Sequence, residues 1–290
     1  MSARSPRPPA NLQTLNRRIT GLANELGRPV RRVQRAVANT VIGQMLPPGV
    51  VKGGTAIKLR VGEAASRFTP DLDTSPRAGL TLDEYVGEFQ ERLHGGWGGF
   101  TGTVETLDPA QPEGVPDDYV MRPYRLAVAF QSRHWLRVTL EVGHDEVGST
   151  AHAEPRMAED ILVIFEKLVL PRPEPVPVMS THHQVAQKLH ACTSRNPRTG
   201  RNDRAHDLVD LQILVEEEPV DLVAAGVTAR RLFASRRAQS WPPTVVAFEG
   251  WAAIYADAAA ELEVLPTVDA AVAWANQLVA RIEHASSSEG

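Results

Sequence analysis

Lys52 to Asp73, with the sequence KGGTAIKLRVGEAASRFTPDLD, is the stretch around which the fold is organised, because it combines strand, turn, helix and strand features. Asp71 and Asp73 are two residues apart, and in an extended segment this spacing points both carboxylates to the same face. Converging carboxylates repel each other unless water or a divalent cation separates them, and Mg²⁺ takes such oxygen ligands together with substrate phosphates. The pair therefore predicts a metal-binding edge of a sheet.

The residues upstream of this pair predict a phosphate site. Gly53 and Gly54 let the backbone approach a bound group closely, and the following residues can open a helix whose amide groups face an anion. Lys52 and Arg67 supply cations in the same short span. A D-x-D pair or a Gly-Gly pair is common on its own, so the prediction rests on their combination.

This combination resembles a known signature. The glycine pair followed by D-x-D is similar to the G-[GS]…D-x-D pattern of the nucleotidyltransferase superfamily. More specifically, KGGTAI followed by RFTPDLD resembles the first motif of the AbiEii/AbiGii nucleotidyltransferase toxins, which include the mycobacterial MenT toxins of type IV toxin–antitoxin systems. The resemblance requires a second motif in the C-terminal half, with a helical lysine, an arginine and two spaced aspartates.

Residues 180–216, STHHQVAQKLHACTSRNPRTGRNDRAHDLVDLQILVE, contain such a pattern. Lys188 and Arg195 are seven apart and are expected to share a face of one helix, while Asp207 and Asp210 share a face of the next. Physical reasoning alone favours a structural salt-bridge cluster between the two helices. The stretch is also similar to the K-L-x-A…R…D-x-x-D-L motif of the AbiEii family, and it follows the first motif in the required order.

The resemblance implies a role for each matching residue. The implied catalytic residues are Asp71, Asp73, Lys188 and Asp210, with Asp210 orienting Lys188. The implied substrate-binding residues are Lys52, Gly53, Gly54, Thr55, Arg67, Thr69, Arg195 and Asp207. Two departures stand out: Thr69 replaces a frequent serine, and His206 replaces a frequent arginine or lysine. The second departure leaves the phosphate contact at that position open, with Arg204 and Arg201 as candidates.

A third metal-binding carboxylate is expected on a neighbouring strand. Val138, Leu140 and Val142 alternate with polar residues, so Glu141 projects from the face opposite the apolar one. Glu141 is matched to the third ligand beside Asp71 and Asp73, and Glu105 on an earlier strand is the competing candidate. The resemblance implies Mg²⁺ as the cofactor.

The predicted architecture is a bilobed α/β nucleotidyltransferase fold, a mixed sheet with flanking helices and a C-terminal helical domain. Its parts are a basic helical N-terminal segment (residues 1–46), a nucleotidyltransferase core (47–172) and a C-terminal helical domain with the second motif (173–290). Strands are predicted at 49–51, 100–106, 119–131 and 134–142, with a proline-rich loop at 108–118. PRPEPVPV, residues 171–178, is predicted to be an extended linker between the domains.

Charge is distributed unevenly along the chain. The formal net charge is −4 over 290 residues, but residues 1–60 hold eleven Lys/Arg and one acidic residue. Arg31, Arg32 and Arg35 lie on a predicted helix without carboxylates to pair with, which predicts contact with an RNA backbone; a solvated basic face is the alternative. A single cysteine suits a reducing cytoplasm, and the absence of a long apolar run predicts no membrane partner.

The expected function is therefore that of a cytoplasmic toxin. The resemblance implies transfer of nucleotides from a nucleoside triphosphate to the 3′ end of tRNA, which would block translation, and a cognate AbiEi-type antitoxin. Two alternatives remain: a nucleotide-binding regulatory protein without transferase activity, and a nucleotidyltransferase that modifies a protein or an antibiotic.

Overall fold

The computed structural model describes residues 7–109, 120–196, 199–237 and 239–287. Its helices are α1 (Leu12–Glu25), α2 (Val30–Gly43), α3 (Gly53–Val61), α4 (Leu82–Gly95), α5 (Glu159–Leu168), α6 (Thr181–Thr193), α7 (His206–Glu217), α8 (Leu222–Arg236), α9 (Trp251–Ala259) and α10 (Val268–Ser287). Its strands are β1 (Gly49–Lys52), β2 (Leu72–Pro76), β3 (Phe100–Thr106), β4 (Arg122–Phe130), β5 (Arg133–Val142), β6 (Glu154–Arg156) and β7 (Val176–Val178). None of these helices is long and apolar enough to cross a bilayer.

The strands form one mixed sheet in the order β3-β4-β5-β2-β1-β7-β6. β1 is antiparallel to β2, whereas β2 is parallel to β5. In this register Lys52 on β1 is paired with Asp73 on β2, which is paired with Glu141 on β5. Paired residues on adjacent strands project to the same face, so the sheet brings these three charged side chains together. The predicted α/β class with a mixed sheet is confirmed.

Two hydrophobic cores flank this position. The first joins the sheet with α1, α2, α4 and α5, and it includes Leu15, Val37, Phe89 and Phe165. The second is built from the C-terminal helices and includes Leu189, Leu211 and Trp251. Ile57 of α3 packs into this second core although α3 directly follows β1. The helix after the glycine pair therefore connects the sheet to the C-terminal helices, and the second motif packs close to the first.

The structure departs from the prediction at the proposed linker. Residues 176–178 form β7, which pairs with β1 in parallel and with β6 in antiparallel orientation. The linker prediction was wrong there because the apolar Val176 and Val178 are buried in the sheet, and the alternating prolines hid a strand of three residues. The predicted strand at 119–131 begins at Arg122. Tyr119 and the part of the predicted proline-rich loop from residue 110 onward lie outside the described residues, as do residues 1–6.

Candidate active site

A cleft of about 210 Å³ lies between the central strands of the sheet and α6. Its lining residues are Lys52, Gly53, Asp73, Met121, Glu141, Gln184, Gln187, Lys188, Ala191 and Arg204. Members of both sequence motifs face this single cavity, although more than a hundred residues separate them along the chain. The geometry thus joins the two motifs in one site.

Gly53 is placed where only glycine fits. Its φ is +64°, a left-handed conformation that residues with a side chain rarely adopt. A Cβ at this position would lie 2.0 Å from Oδ2 of Asp73. The α3 helix therefore begins with its backbone directly against the Asp73 carboxylate, where the unpaired amide groups of a helix N-terminus favour negative charge.

The carboxylates of the site interact unfavourably with one another. Burial raises the pKa of Asp73, and the nearby Asp71 raises it further, while Lys52 and Lys188 act in the opposite direction. Burial also raises the pKa of Glu141, and Asp73 and Asp71 add to this effect. A divalent cation would relieve this repulsion, so the donor chemistry fits Mg²⁺.

The described residues contain no group of three or more His, Cys, Asp or Glu side chains arranged to hold a metal by themselves. Asp71 precedes β2 and does not line the cleft, whereas Asp73 and Glu141 do. Asp73 and Glu141 are the carboxylates that would supply oxygen ligands to such an ion from the cleft wall. Of the two candidates for the third carboxylate, Glu141 is the neighbour of Asp73, while Glu105 lies on the edge strand β3 and is ion-paired with Arg125 at 3.1 Å.

Lys52 is a buried cation beside these carboxylates. Its side chain is only 8% exposed, and Nζ lies 3.3 Å from Sδ of Met121. Burial lowers the pKa of Lys52, and the charges of Asp73 and Glu146 oppose that effect. A Cβ on Gly143 would lie 2.4 Å from Nζ, so this glycine leaves the space that the ammonium group occupies. The cation is positioned to interact with an anion that enters the cleft.

The second motif forms a buried ion cluster. Nζ of Lys188 donates to Oδ1 of Asp207 and to Oδ2 of Asp210, both at 2.6 Å. Arg67 forms a bidentate pair with Asp210, with Nε and Nη2 at 2.8 and 2.9 Å. Nε of Arg204 donates to Oδ2 of Asp207 at 2.7 Å. Three cations thus surround two carboxylates, and Arg67 connects the first motif directly to the second.

The charges of this cluster reinforce one another. Burial would lower the pKa of Lys188, but Asp207 and Asp210 outweigh it and raise that pKa. Burial would raise the pKa of Asp210, but Lys188 and Arg67 outweigh it and hold the pKa well below the ordinary range. Lys188 is consequently a fixed ammonium group at the wall of the cleft. Asp210 contacts it as the orienting role requires, and Asp207 contacts it equally closely.

Several residues that are predicted to bind substrate also support the loop before β2. Thr55 is buried, and its hydroxyl donates to the carbonyl oxygen of Asp71 at 3.0 Å while accepting from Asn39 at 3.1 Å. A Cβ on Gly54 would lie 2.3 Å from Oγ1 of Thr69, which is also buried. Thr55 and Gly54 therefore fix the position of Asp71 and Thr69 through packing and hydrogen bonding.

The structure places Arg195 differently from the expectation. α6 ends at Thr193, so Arg195 lies beyond the helix and does not share the Lys188 face. Its guanidinium lies 5.1 Å from the ring centroid of Phe248. At the position of the second departure, burial lowers the pKa of His206 to about 4 despite the charge of Asp207. Arg204, rather than His206, lines the cleft.

The three arginines of α2 have different surroundings. Arg32 is buried, with Nε donating to Glu63 at 2.5 Å and Nη2 donating to the Glu63 carbonyl oxygen at 2.8 Å. The expectation that all three lie on open faces is wrong for Arg32, because the carboxylate partner comes from the loop after α3. Arg31 is exposed and lies over the ring of Phe68. Arg35 is partly exposed and donates to the carbonyl oxygen of Arg137 at 3.1 Å.

Sequence reasoning missed an ion pair at the margin of the cleft. Arg236 of α8 donates to Glu146 through Nε at 2.7 Å and Nη2 at 2.5 Å. Gln187 of α6 donates to the same carboxylate at 3.1 Å. The charge of Arg236 is thus neutralised inside the protein. No local pattern in the sequence signals a contact between residues ninety positions apart.

Comparison with known proteins adds independent information. A sequence profile described as "Nucleotidyl transferase AbiEii toxin, Type IV TA system" matches residues 42–284, which contain both motifs. A search of curated proteins found no match. Among solved structures, the chain is similar to MenT4, a nucleotidyltransferase toxin from Mycobacterium tuberculosis H37Rv. The alignment covers 96% of this chain and 98% of that chain, with 18% identity and a TM-score of 0.49.

Proposed function

Because the chain belongs to the AbiEii family of nucleotidyltransferase toxins of type IV toxin–antitoxin systems, we propose that it transfers a nucleotide from a nucleoside triphosphate to the 3′ end of tRNA and thereby blocks translation. The observation that carries this proposal is the single cleft in which Lys52, Asp73 and Glu141 of three adjacent strands face Lys188 of α6. Carboxylates and fixed cations around one cavity suit the in-line displacement of a phosphoryl group.

In the proposed reaction, a terminal hydroxyl oxygen of the RNA attacks the α-phosphorus of the triphosphate. A new oxygen–phosphorus bond forms as the bond between the α-phosphorus and the α,β-bridging oxygen breaks, and the bridging oxygen leaves with pyrophosphate. The hydroxyl proton passes to a carboxylate of the site and then to water. Asp71 is the carboxylate that we assign to this step, and the Thr55 hydroxyl supports that assignment by holding the Asp71 backbone in position.

Mg²⁺ bound by Asp71 and Asp73, with Glu141, would lower the pKa of the attacking hydroxyl and neutralise charge on the triphosphate. The chain itself supplies further neutralisation. Lys52 and Lys188 are held in place before substrate arrives, so their stabilisation of developing negative charge needs little reorganisation. Arg204 extends the positive wall, and Arg67 holds Asp210 against Lys188.

The remaining expectations also belong to this proposal. A toxin that modifies tRNA acts in the cytoplasm, and a single buried cysteine suits that compartment. An AbiEi-type antitoxin is the expected partner, since the family consists of toxins from toxin–antitoxin systems.

The proposal is tested by giving the purified protein total tRNA, a protein mixture and an aminoglycoside, each with every α-labelled nucleoside triphosphate in turn and with Mg²⁺. The expected result is label in tRNA for at least one nucleotide. Label in protein or in the aminoglycoside alone would replace tRNA with another acceptor. Binding of nucleotide without transfer to any acceptor would favour a regulatory protein.

A further inference from the structure

A second cavity, of about 590 Å³, lies between the N-terminal helix α2, the loop before β2 and α9. Arg31 and Arg32 line it from α2, Arg67 and Phe68 from the loop, and His206 from the start of α7. The volume lies within the range of sites that enclose a small organic ligand. None of its lining residues lines the cleft that contains Asp73. The cavity is therefore a separate space next to the proposed active site.

One wall of this cavity is formed by a guanidinium group and an aromatic ring. The guanidinium of Arg31 lies 5.2 Å from the centroid of the Phe68 ring, and both side chains are accessible to solvent. Arginine planes and aromatic rings are the groups on which proteins stack unpaired nucleobases. The lining also includes two acidic groups, Asp257 and Glu261, and Glu261 is ion-paired at 2.9 Å with Arg28, just before α2. Arg32 and Arg67 are paired with carboxylates, so the positive charge that the lining offers to a ligand comes mainly from Arg31 on α2.

The cavity is physically connected to the carboxylates. Arg67, which lines it, is bonded to Asp210 and thereby to the Lys188 cluster. Phe68 is three residues before Asp71, so their Cα atoms are at most about 11 Å apart even in a fully extended chain. Arg35 is one helical turn beyond Arg31 on α2, an axial rise of about 6 Å, and Asp71 attracts its charge. The basic side of α2 therefore runs from the cavity towards Asp71.

We infer that this cavity holds the 3′-terminal nucleoside of the acceptor RNA, with its base stacked on the Arg31–Phe68 wall, its backbone along Arg31 and Arg35, and its hydroxyl at Asp71. The inference rests on the proposed function. The nucleoside triphosphate, which is the donor, is assigned to the cleft that contains Asp73, here called the donor cleft, and the RNA terminus, which is the acceptor, is assigned to the second cavity. At most about 11 Å separates the Cα atoms of Phe68 and Asp71, a distance that a single terminal nucleotide can span.

The arginines of this site precede the family match, whereas Phe68 lies within it. The matching profile begins at residue 42, whereas Arg31 and Arg35 lie N-terminal to it. The proposed site gives a role to Arg31 and Arg35, two basic residues that do not line the donor cleft.

The inference is tested by steady-state kinetics of transfer to tRNA with four variants. Phe68→Ala and Arg31→Ala should raise the KM for tRNA by about 5- to 150-fold, the range that corresponds to the loss of one base–aromatic stack of about 1–3 kcal/mol. The KM for the nucleoside triphosphate should not change, because neither residue lines the donor cleft. Phe68→Tyr should restore the KM for tRNA, since it retains the ring. Arg77→Ala, in a separate cavity whose lining includes Arg77, Arg122, Asp83 and Asp145, is the matched control and should behave as wild type.

A tRNA whose 3′-terminal nucleotide lacks its base provides the decisive comparison. For wild type its KM should rise by the same factor as the Phe68→Ala change, and Phe68→Ala should cause no further rise with this acceptor. The inference is overturned if both variants keep the wild-type KM for intact tRNA, or if the effects of base removal and of Phe68→Ala multiply. Failure of the wild-type protein to label any RNA would instead overturn the proposed function and the inference with it.

Discussion

Gly53→Ala should disable the site through one added methyl group. The new Cβ would lie 2.0 Å from Oδ2 of Asp73, whereas real Cβ contacts remain at 3.0 Å or more. The carboxylate must therefore retreat by about 1 Å, and a displacement of that size in a catalytic group can reduce the rate by roughly 100-fold. The positive φ of +64° adds backbone strain of about 1–3 kcal/mol, so the melting temperature should also fall by several degrees.

Gly27 offers a matched control for the strain. Its φ is +63°, but a Cβ there would meet nothing within 4 Å. Gly27→Ala should therefore lower the melting temperature by a similar amount and leave nucleotide transfer at the wild-type rate. The measurement is the initial rate of label transfer from an α-labelled nucleoside triphosphate to tRNA, beside thermal melts of both variants. Wild-type transfer by folded Gly53→Ala, or equal losses of transfer in both variants, would refute the placement of Asp73 at the reacting centre.

Three further predictions concern charge. Asp73→Asn should abolish transfer, yet the variant should melt at a higher temperature than wild type at neutral pH without metal. The folded-state pKa of Asp73 is raised, so ionisation of this carboxyl destabilises the fold as the pH rises. Thermal melts across pH should therefore show that the difference in melting temperature vanishes as the pH falls towards the ordinary aspartate pKa. Lys188→Met should stop transfer but lower the free energy of unfolding by only about 3 kcal/mol or less, measured by denaturant unfolding. The loss is limited because Arg204 and Arg67 still pair with Asp207 and Asp210. A loss of activity that only matches the fraction of unfolded protein would indicate a purely structural cluster. Chelation of divalent ions should stop transfer with the fold intact by circular dichroism, and added Mg²⁺ should restore it; full activity in chelator would remove the metal from the account.

Short-range patterns in the sequence predicted the parts of the site that neighbouring residues determine. The glycine turn, the position of Asp73 and the alternation around Glu141 follow from local patterns, and the sheet brings Lys52, Asp73 and Glu141 into register. Asp71, the other member of the D-x-D pair, precedes β2 and does not line the cleft. Helical spacing also placed Asp207 and Asp210 on the side of α7 that meets Lys188.

Contacts between distant residues could not be predicted in this way. Arg67 binds Asp210, 143 positions further along the chain, so a contact that no local pattern indicates bridges the two motifs. Arg32 pairs with Glu63 from another element, although the helix that carries Arg32 has no carboxylate of its own. The charge pattern of a helix shows whether it carries its own ion-pair partners. The packing of separate elements determines which distant carboxylate pairs with an arginine of that helix.

The most direct test of the central claim follows the two ends of the triphosphate in one reaction. Wild-type protein, tRNA and Mg²⁺ are incubated with nucleoside triphosphate labelled either at the α- or at the γ-phosphate, and both RNA and released phosphates are resolved. Nucleotide transfer predicts α-label at the 3′ end of the RNA, γ-label only in pyrophosphate, equal amounts of the two products, and neither product with Asp73→Asn. The appearance of γ-label in the RNA, or hydrolysis of the triphosphate with no α-label in the RNA, would contradict it.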